Sequence, residues 1–75
     1  MNNSRRQQLR NWIEKIDEIK EELQSILSDE EMYFDMMPEN LQGSQNGMNS
    51  EEAIDNMNDA IICIDEAIET IKEII

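Results

Sequence analysis

Residues 53–73 write one seven-residue unit three times: Ala53-Ile54-Asp55-Asn56-Met57-Asn58-Asp59, Ala60-Ile61-Ile62-Cys63-Ile64-Asp65-Glu66 and Ala67-Ile68-Glu69-Thr70-Ile71-Lys72-Glu73. Each unit opens Ala-Ile, carries Met or Ile fifth and ends in an acid. Seven residues are close to two turns of an α-helix. Ile54, Met57, Ile61, Ile64, Ile68, Ile71 and Ile75 therefore fall in one apolar seam. Ala53, Ala60 and Ala67 flank that seam and let a neighbouring helix approach closely. Such a repeat commits the chain to helix-on-helix packing.

The first half supplies a second helix. Ser4 followed by Gln7 reads as a capping box, and no Gly or Pro interrupts the chain before Pro38, so a helix is expected over about 4–36. Leu9, Ile16, Leu23 and Met37 share one heptad place, and Trp12, Ile19, Ile26 and Tyr33 share the other. Ile13, Leu27 and Phe34 widen this stripe to a bundle-type face. Glu30 stands where the pattern asks for an aliphatic residue. A carboxylate there either stays half-exposed beside a local bend or makes a polar contact that fixes register or binds something.

Pro38 disfavours helix at Met37. One further turn is expected over Pro38–Gln42, ended by Gly43, and Asn46-Gly47 has the chemistry of a positive-φ turn. Asn49 or Ser50 then caps a helix over about 50–75. A connector spanning 37–49 is longer than bundle helices usually need. Met32, Tyr33, Phe34, Met36, Met37, Leu41 and Met48 surround it, either as a small second core or as an adaptable binding tip.

Seventy-five residues bury little surface, and Cys63 is the only cysteine, so neither a large core nor an internal disulfide supports the fold. Two wide apolar stripes cannot hide one another in a single hairpin. Trp12, Ile13, Leu27, Ile62 or Ile74 would stay partly wet. The expectation is an all-α chain, one antiparallel helical hairpin of two long helices. It would pair with copies of itself into a four-helix bundle, as a homodimer or a higher even oligomer. Trp12, Ile16, Ile19, Leu23, Ile26, Ile54, Met57, Ile61, Ile64, Ile68 and Ile71 are the expected oligomer core.

The net charge is −12, and bases concentrate in residues 1–20; beyond Lys20 only Lys72 is basic. That balance argues against direct nucleic-acid binding, which needs Lys and Arg along the phosphates. Folding the hairpin antiparallel would set Arg5, Arg6 and Arg10 beside Glu66, Glu69, Glu73 and the terminal carboxylate. The chain has no histidine, and Cys63, expected as an inert and partly buried thiol, lacks a cationic neighbour. An enzyme is not expected, nor is a metal or other cofactor. No apolar run suggests a membrane segment or leader, which points to a soluble protein of the cytoplasm.

The connector Phe34-Asp35-Met36-Met37-Pro38-Glu39-Asn40-Leu41-Gln42-Gly43-Ser44, lying between acidic helices, resembles that of a group of small uncharacterised bacteriophage and prophage proteins. Their common form is Phe-Asp-x-Met-Pro-Glu-(Asn/Ser)-Leu-Gln-(Gly/Glu)-Ser, followed by Ala-Ile heptads. The resemblance implies a viral setting in a bacterial host and brings no established activity with it.

Four functions compete. In the first, a non-enzymatic accessory protein oligomerises and blocks or sequesters a host protein in counter-defence. Its binding candidates are Tyr33, Phe34, Met36, Met37, Pro38, Glu39, Asn40, Leu41 and Gln42. The second is a sponge for a nucleotide signal, held between hairpins with Arg5, Arg6 and Arg10 as candidate anion contacts. The third is an acidic DNA mimic using Asp55, Asp59, Glu66, Glu69 and Glu73, and the fourth a structural oligomerisation module.

Overall fold

A computed structural model describes all 75 residues and contains helices only: α1 (Asn3–Asp35), α2 (Glu39–Gln42) and α3 (Gln45–Lys72). Asn2, not Ser4, caps α1, its side-chain oxygen accepting from the Arg5 backbone amide at 2.8 Å. The helix ends at Asp35, where Pro38 forbids continuation. α2 is the single turn expected after that proline.

α3 begins five residues earlier than the sequence suggests. Ser44 is its cap, accepting from the Gly47 amide, and Asn46-Gly47 lies inside the helix with no glycine at positive φ. A local cap and the packing of Gly47 override the turn preference of Asn-Gly. The true connector is therefore only the few residues around α2.

α1 and α3 pack antiparallel along a rod whose Cα extents are 58 × 16 × 12 Å. Two side-chain contacts mark the register. Near the connector, Ser50 Oγ donates to Glu30 Oε2 at 2.9 Å; near mid-rod, Lys20 Nζ meets Asp65 Oδ1 at 2.6 Å. Glu30 thus makes the register-fixing polar contact while remaining half-buried. Ser50, expected as a cap, is instead a buried partner for that carboxylate.

The α3 seam is the expected one. Ile68 is 5% exposed, and Ile54, Met57, Ile61, Ile64 and Ile71 are half-buried beside it. α1 is rolled differently from the expectation. Ile13 and Leu27, read as mere widening of the stripe, are the buried residues, and Leu9, Ile16 and Leu23 are half-buried. The row Trp12, Ile19, Ile26 and Tyr33 lies outside, exposed by 39%, 52%, 57% and 53%. One helix can cover only two adjacent rows of its neighbour, and the third stays wet.

The arginines do not pair with the acids of α3. Lys20–Asp65 is the one ion pair between helices, and Arg6 folds back on Asn3 Oδ1 at 3.2 Å. Extending the register set by Lys20–Asp65 puts Arg10 level with Ile75 and carries Arg5 and Arg6 past the end of α3. Expected partners Glu66 and Glu69 therefore lie too far along the rod. No helix is long and apolar enough to cross a membrane.

Two measurements test these contacts. Ser50→Ala strands the Glu30 carboxylate and should cost about 1 kcal/mol in urea unfolding, whereas Glu30→Leu with Ser50→Ala should gain about 1 kcal/mol by making the layer apolar. The hydrogen bond to Asp65, helped by the charges of Asp65, Asp17 and Glu21, raises the Lys20 pKa above its ordinary 10.5 against the opposing effect of burial. A raised lysine stabilises the fold fully below 10.5 and loses that contribution as pH rises through the folded value. The stability gap between the wild type and Lys20→Met should be flat at neutral pH and close above pH 10.5.

Candidate functional site

The connector end gathers apolar side chains that the hairpin does not use. Met36 is 80% exposed, and Met32, Tyr33, Leu41 and Met48 are also out in solvent. They form no second core. They sit on a backbone that is tightly fixed. The Gln42 amide donates to the Phe34 and Met37 carbonyls, each at 3.3 Å, tying α2 to the end of α1. Ser44 Oγ donates to the Leu41 carbonyl and accepts from the Gly47 amide, coupling the end of α2 to the start of α3.

Gly47 completes the corner. It is buried where α3 crosses α2, and a Cβ built there would collide with the Gln42 carbonyl oxygen and lie 2.5 Å from the carbonyl carbon. Backbone cannot move aside as a side chain can. The residue is glycine for close approach and not for an unusual φ.

The nine candidates of the connector therefore divide by role. Phe34 and Met37 are half-buried against the hairpin, and Gln42 is half-buried and occupied by backbone carbonyls. Tyr33, Met36, Pro38, Glu39, Asn40 and Leu41 face solvent and can meet a partner. Met32 and Met48, already expected around the connector, are exposed at the same end of the rod, Met48 because α3 returns beside the end of α1.

Acids dominate the concave surfaces. A cleft between α1 and α3 has a volume of about 440 Å³ and is lined by Glu31, Asp35, Glu51 and Asp55 with Phe34, Ile54 and Asn58. A shallower surface of α3 carries Asp65, Glu66, Glu69 and Glu73. Neither contains a base, so an anionic ligand would meet repulsion in both. Arg5, Arg6 and Arg10 lie at the opposite end of the rod from the tip and line none of the clefts. No cluster of three or more metal-type ligands occurs. Cys63 is exposed, correcting the expectation of a partly buried thiol, because its place in the repeat lies away from the α3 seam. No known protein family, curated protein or solved structure matches the chain.

The two glycines give a paired test of the corner. Gly47→Ala, normally worth about 1 kcal/mol of gain inside a helix, should instead cost about 2 kcal/mol and lower the melting temperature by on the order of 10 °C. Gly43 has open space around its Cβ position and a φ of −84°, so Gly43→Ala should be neutral or gain up to about 1 kcal/mol.

Proposed function

We propose that this chain is a non-enzymatic accessory protein that self-associates into a helical bundle and, through its methionine-rich tip, binds and sequesters a host protein. The connector's resemblance to phage and prophage proteins supplies the setting: the cytoplasm of a bacterial host, in counter-defence. The observation that carries the reading is the exposure of Met32, Tyr33, Met36, Leu41 and Met48 together at one end of a rod whose corner is fixed by hydrogen bonds. Flexible methionines on a rigid mount can adapt to a partner surface without the mount losing entropy.

Self-association is supported by how little the hairpin hides. Ile13, Leu27 and Ile68 are its only buried large apolar side chains, which is a small core for 75 residues. The DNA-mimic reading keeps one favourable observation, the exposure of Asp55, Asp59, Glu66, Glu69 and Glu73 along α3. It leaves the tip without a purpose, and the sponge reading must overcome the carboxylates of the clefts.

Met36→Ser with Leu41→Ser tests the tip. Both side chains are exposed, so the helical circular-dichroism signal and the melting temperature should hold. In capture from bacterial lysate, the partner retained by tagged wild type should fall by about tenfold or more with the variant. Equal capture by the two proteins overturns the tip as the binding surface. A nucleotide in the eluate would favour sponging, and a basic DNA-binding protein displaced by duplex DNA would favour mimicry.

A further inference from the structure

The two long edges of the hairpin differ sharply. One edge is polar: it holds Lys20–Asp65 and the cleft whose rim is Glu31, Glu51 and Asn58. Along the other edge run Trp12, Ile19, Ile26 and Tyr33 of α1, exposed despite their size. The same edge of α3 carries the repeat alanines Ala53, Ala60 and Ala67 with Ile74, since like flanks meet in an antiparallel pair. Beyond the alanines comes a further uncharged row, Asn49, Asn56, Cys63 and Thr70. In a chain with 18 acids and 6 bases, the charges that reach this strip are few: Asp29 and Glu30 line the hollow beside Ile26 and Tyr33, and Glu30 is bonded to Ser50. Depletion of charge around a row of aromatic and aliphatic side chains is the signature of an interface core.

The area agrees with a second copy as occupant. A compact monomer of 8.8 kDa should expose about 4,800 Å², whereas this rod exposes 5624 Å². The excess, about 800 Å², is what each partner of a stable dimer typically buries.

Charge sets the orientation. The half of the rod that holds the connector, residues 21–61, carries eleven acids and no base. The open half has five bases against three acids in residues 1–20, and Lys72 against four acids in residues 62–75, for a net charge near −1. Two hairpins with connectors at the same end would crowd 22 acids together, whereas opposite ends pair each acidic half with a nearly neutral one.

Inverting a copy about a twofold axis across mid-rod, near Lys20–Asp65, lays its α1 antiparallel on α1 and its α3 antiparallel on α3. The row Trp12, Ile19, Ile26 and Tyr33 then meets the same row of the copy in reverse order, and the alanines Ala53, Ala60 and Ala67 meet their own counterparts, both at the seven-residue spacing. We infer that the protein is a twofold homodimer joined through this apolar edge, with its connectors at opposite ends of a four-helix bundle. The inference deepens the self-association in the proposed function and shares only Tyr33 with the binding tip.

Sedimentation equilibrium should give twice the 8.8 kDa monomer mass for the wild type. Ala60→Glu and Ile19→Asn alter side chains that are exposed in the hairpin, so each should keep its helical signal while weakening association by about 100-fold or more. Gln24→Glu, on the polar edge, should leave association nearly unchanged. Spin labels on Gly43→Cys in a Cys63→Ser background should lie about 50 Å or more apart, as a 58 Å rod with opposed connectors requires. A wild-type monomer at micromolar concentration, or association that survives both edge variants, overturns the interface. A separation under about 25 Å overturns the orientation, since it requires the connectors at one end. Loss of lysate capture by the Met36→Ser, Leu41→Ser protein bears on the tip alone, so the two readings fail separately.

Discussion

α1 carries three adjacent apolar rows, and α3, being a single helix, can cover two of them. Which row is left over decides what this protein shows to the rest of the cell. Rolling α1 so that Ile13 and Leu27 face inward brings Lys20 against Asp65 and sets Glu30 over Ser50. The opposite roll would bury Trp12, Ile19, Ile26 and Tyr33 and turn Lys20 away from Asp65, whereas Glu30 lies in the middle row, which faces inward in either roll. The Lys20–Asp65 contact is modest, but it favours one of two faces of nearly equal hydrophobicity, where packing alone gives little preference. The polar groups contribute choice of geometry more than net stability.

Much of the hairpin was legible in the residues themselves. The seam of α3 is written three times over, so its inward face followed from spacing alone, and Pro38 fixed where α1 had to end. The roll of α1 was not legible, because three rows of similar character give periodicity no basis for choosing two. Nor was the start of α3. Asn46-Gly47 is strong turn chemistry, and its capture into a helix depends on a close crossing with Gln42 that no local pattern announces. The arginines illustrate a third kind of failure. Their antiparallel setting was right in direction, but pairing depends on an offset of a few residues, which only Lys20–Asp65 reveals. Of the candidate site, the stretch was legible and its division of labour was not: Gln42 looked as available as Leu41 until its amide was seen to hold two carbonyls.

The connector is short because both of its ends are helical almost to the corner. Ser44 works twice, as donor to α2 and acceptor for α3, and the missing side chain of Gly47 lets the two backbones touch. A corner built this way has little freedom of its own. Motion at the tip is left to the methionine side chains, whose rotamers are many and close in energy. Rigid backbone with soft side chains limits the ordering cost of association to the contacting groups.

The uneven charge relates the tip to the long edge. The eleven acids of the connector half would keep the tips of two approaching chains apart, which would protect their exposed methionines from burying one another. The edge, with Asp29 and Glu30 as the charges beside its apolar row, meets a lower barrier, so the composition that opposes tip-to-tip contact is compatible with edge-to-edge contact. The carboxylates around Met36 and Leu41, among them Glu31, Asp35 and Glu39, also restrict what can approach. An acidic partner would be repelled before its apolar groups made contact, whereas a basic one would be drawn in. In the proposed binding role, a surface apolar at its centre and acidic at its rim would select for a partner with the inverse arrangement.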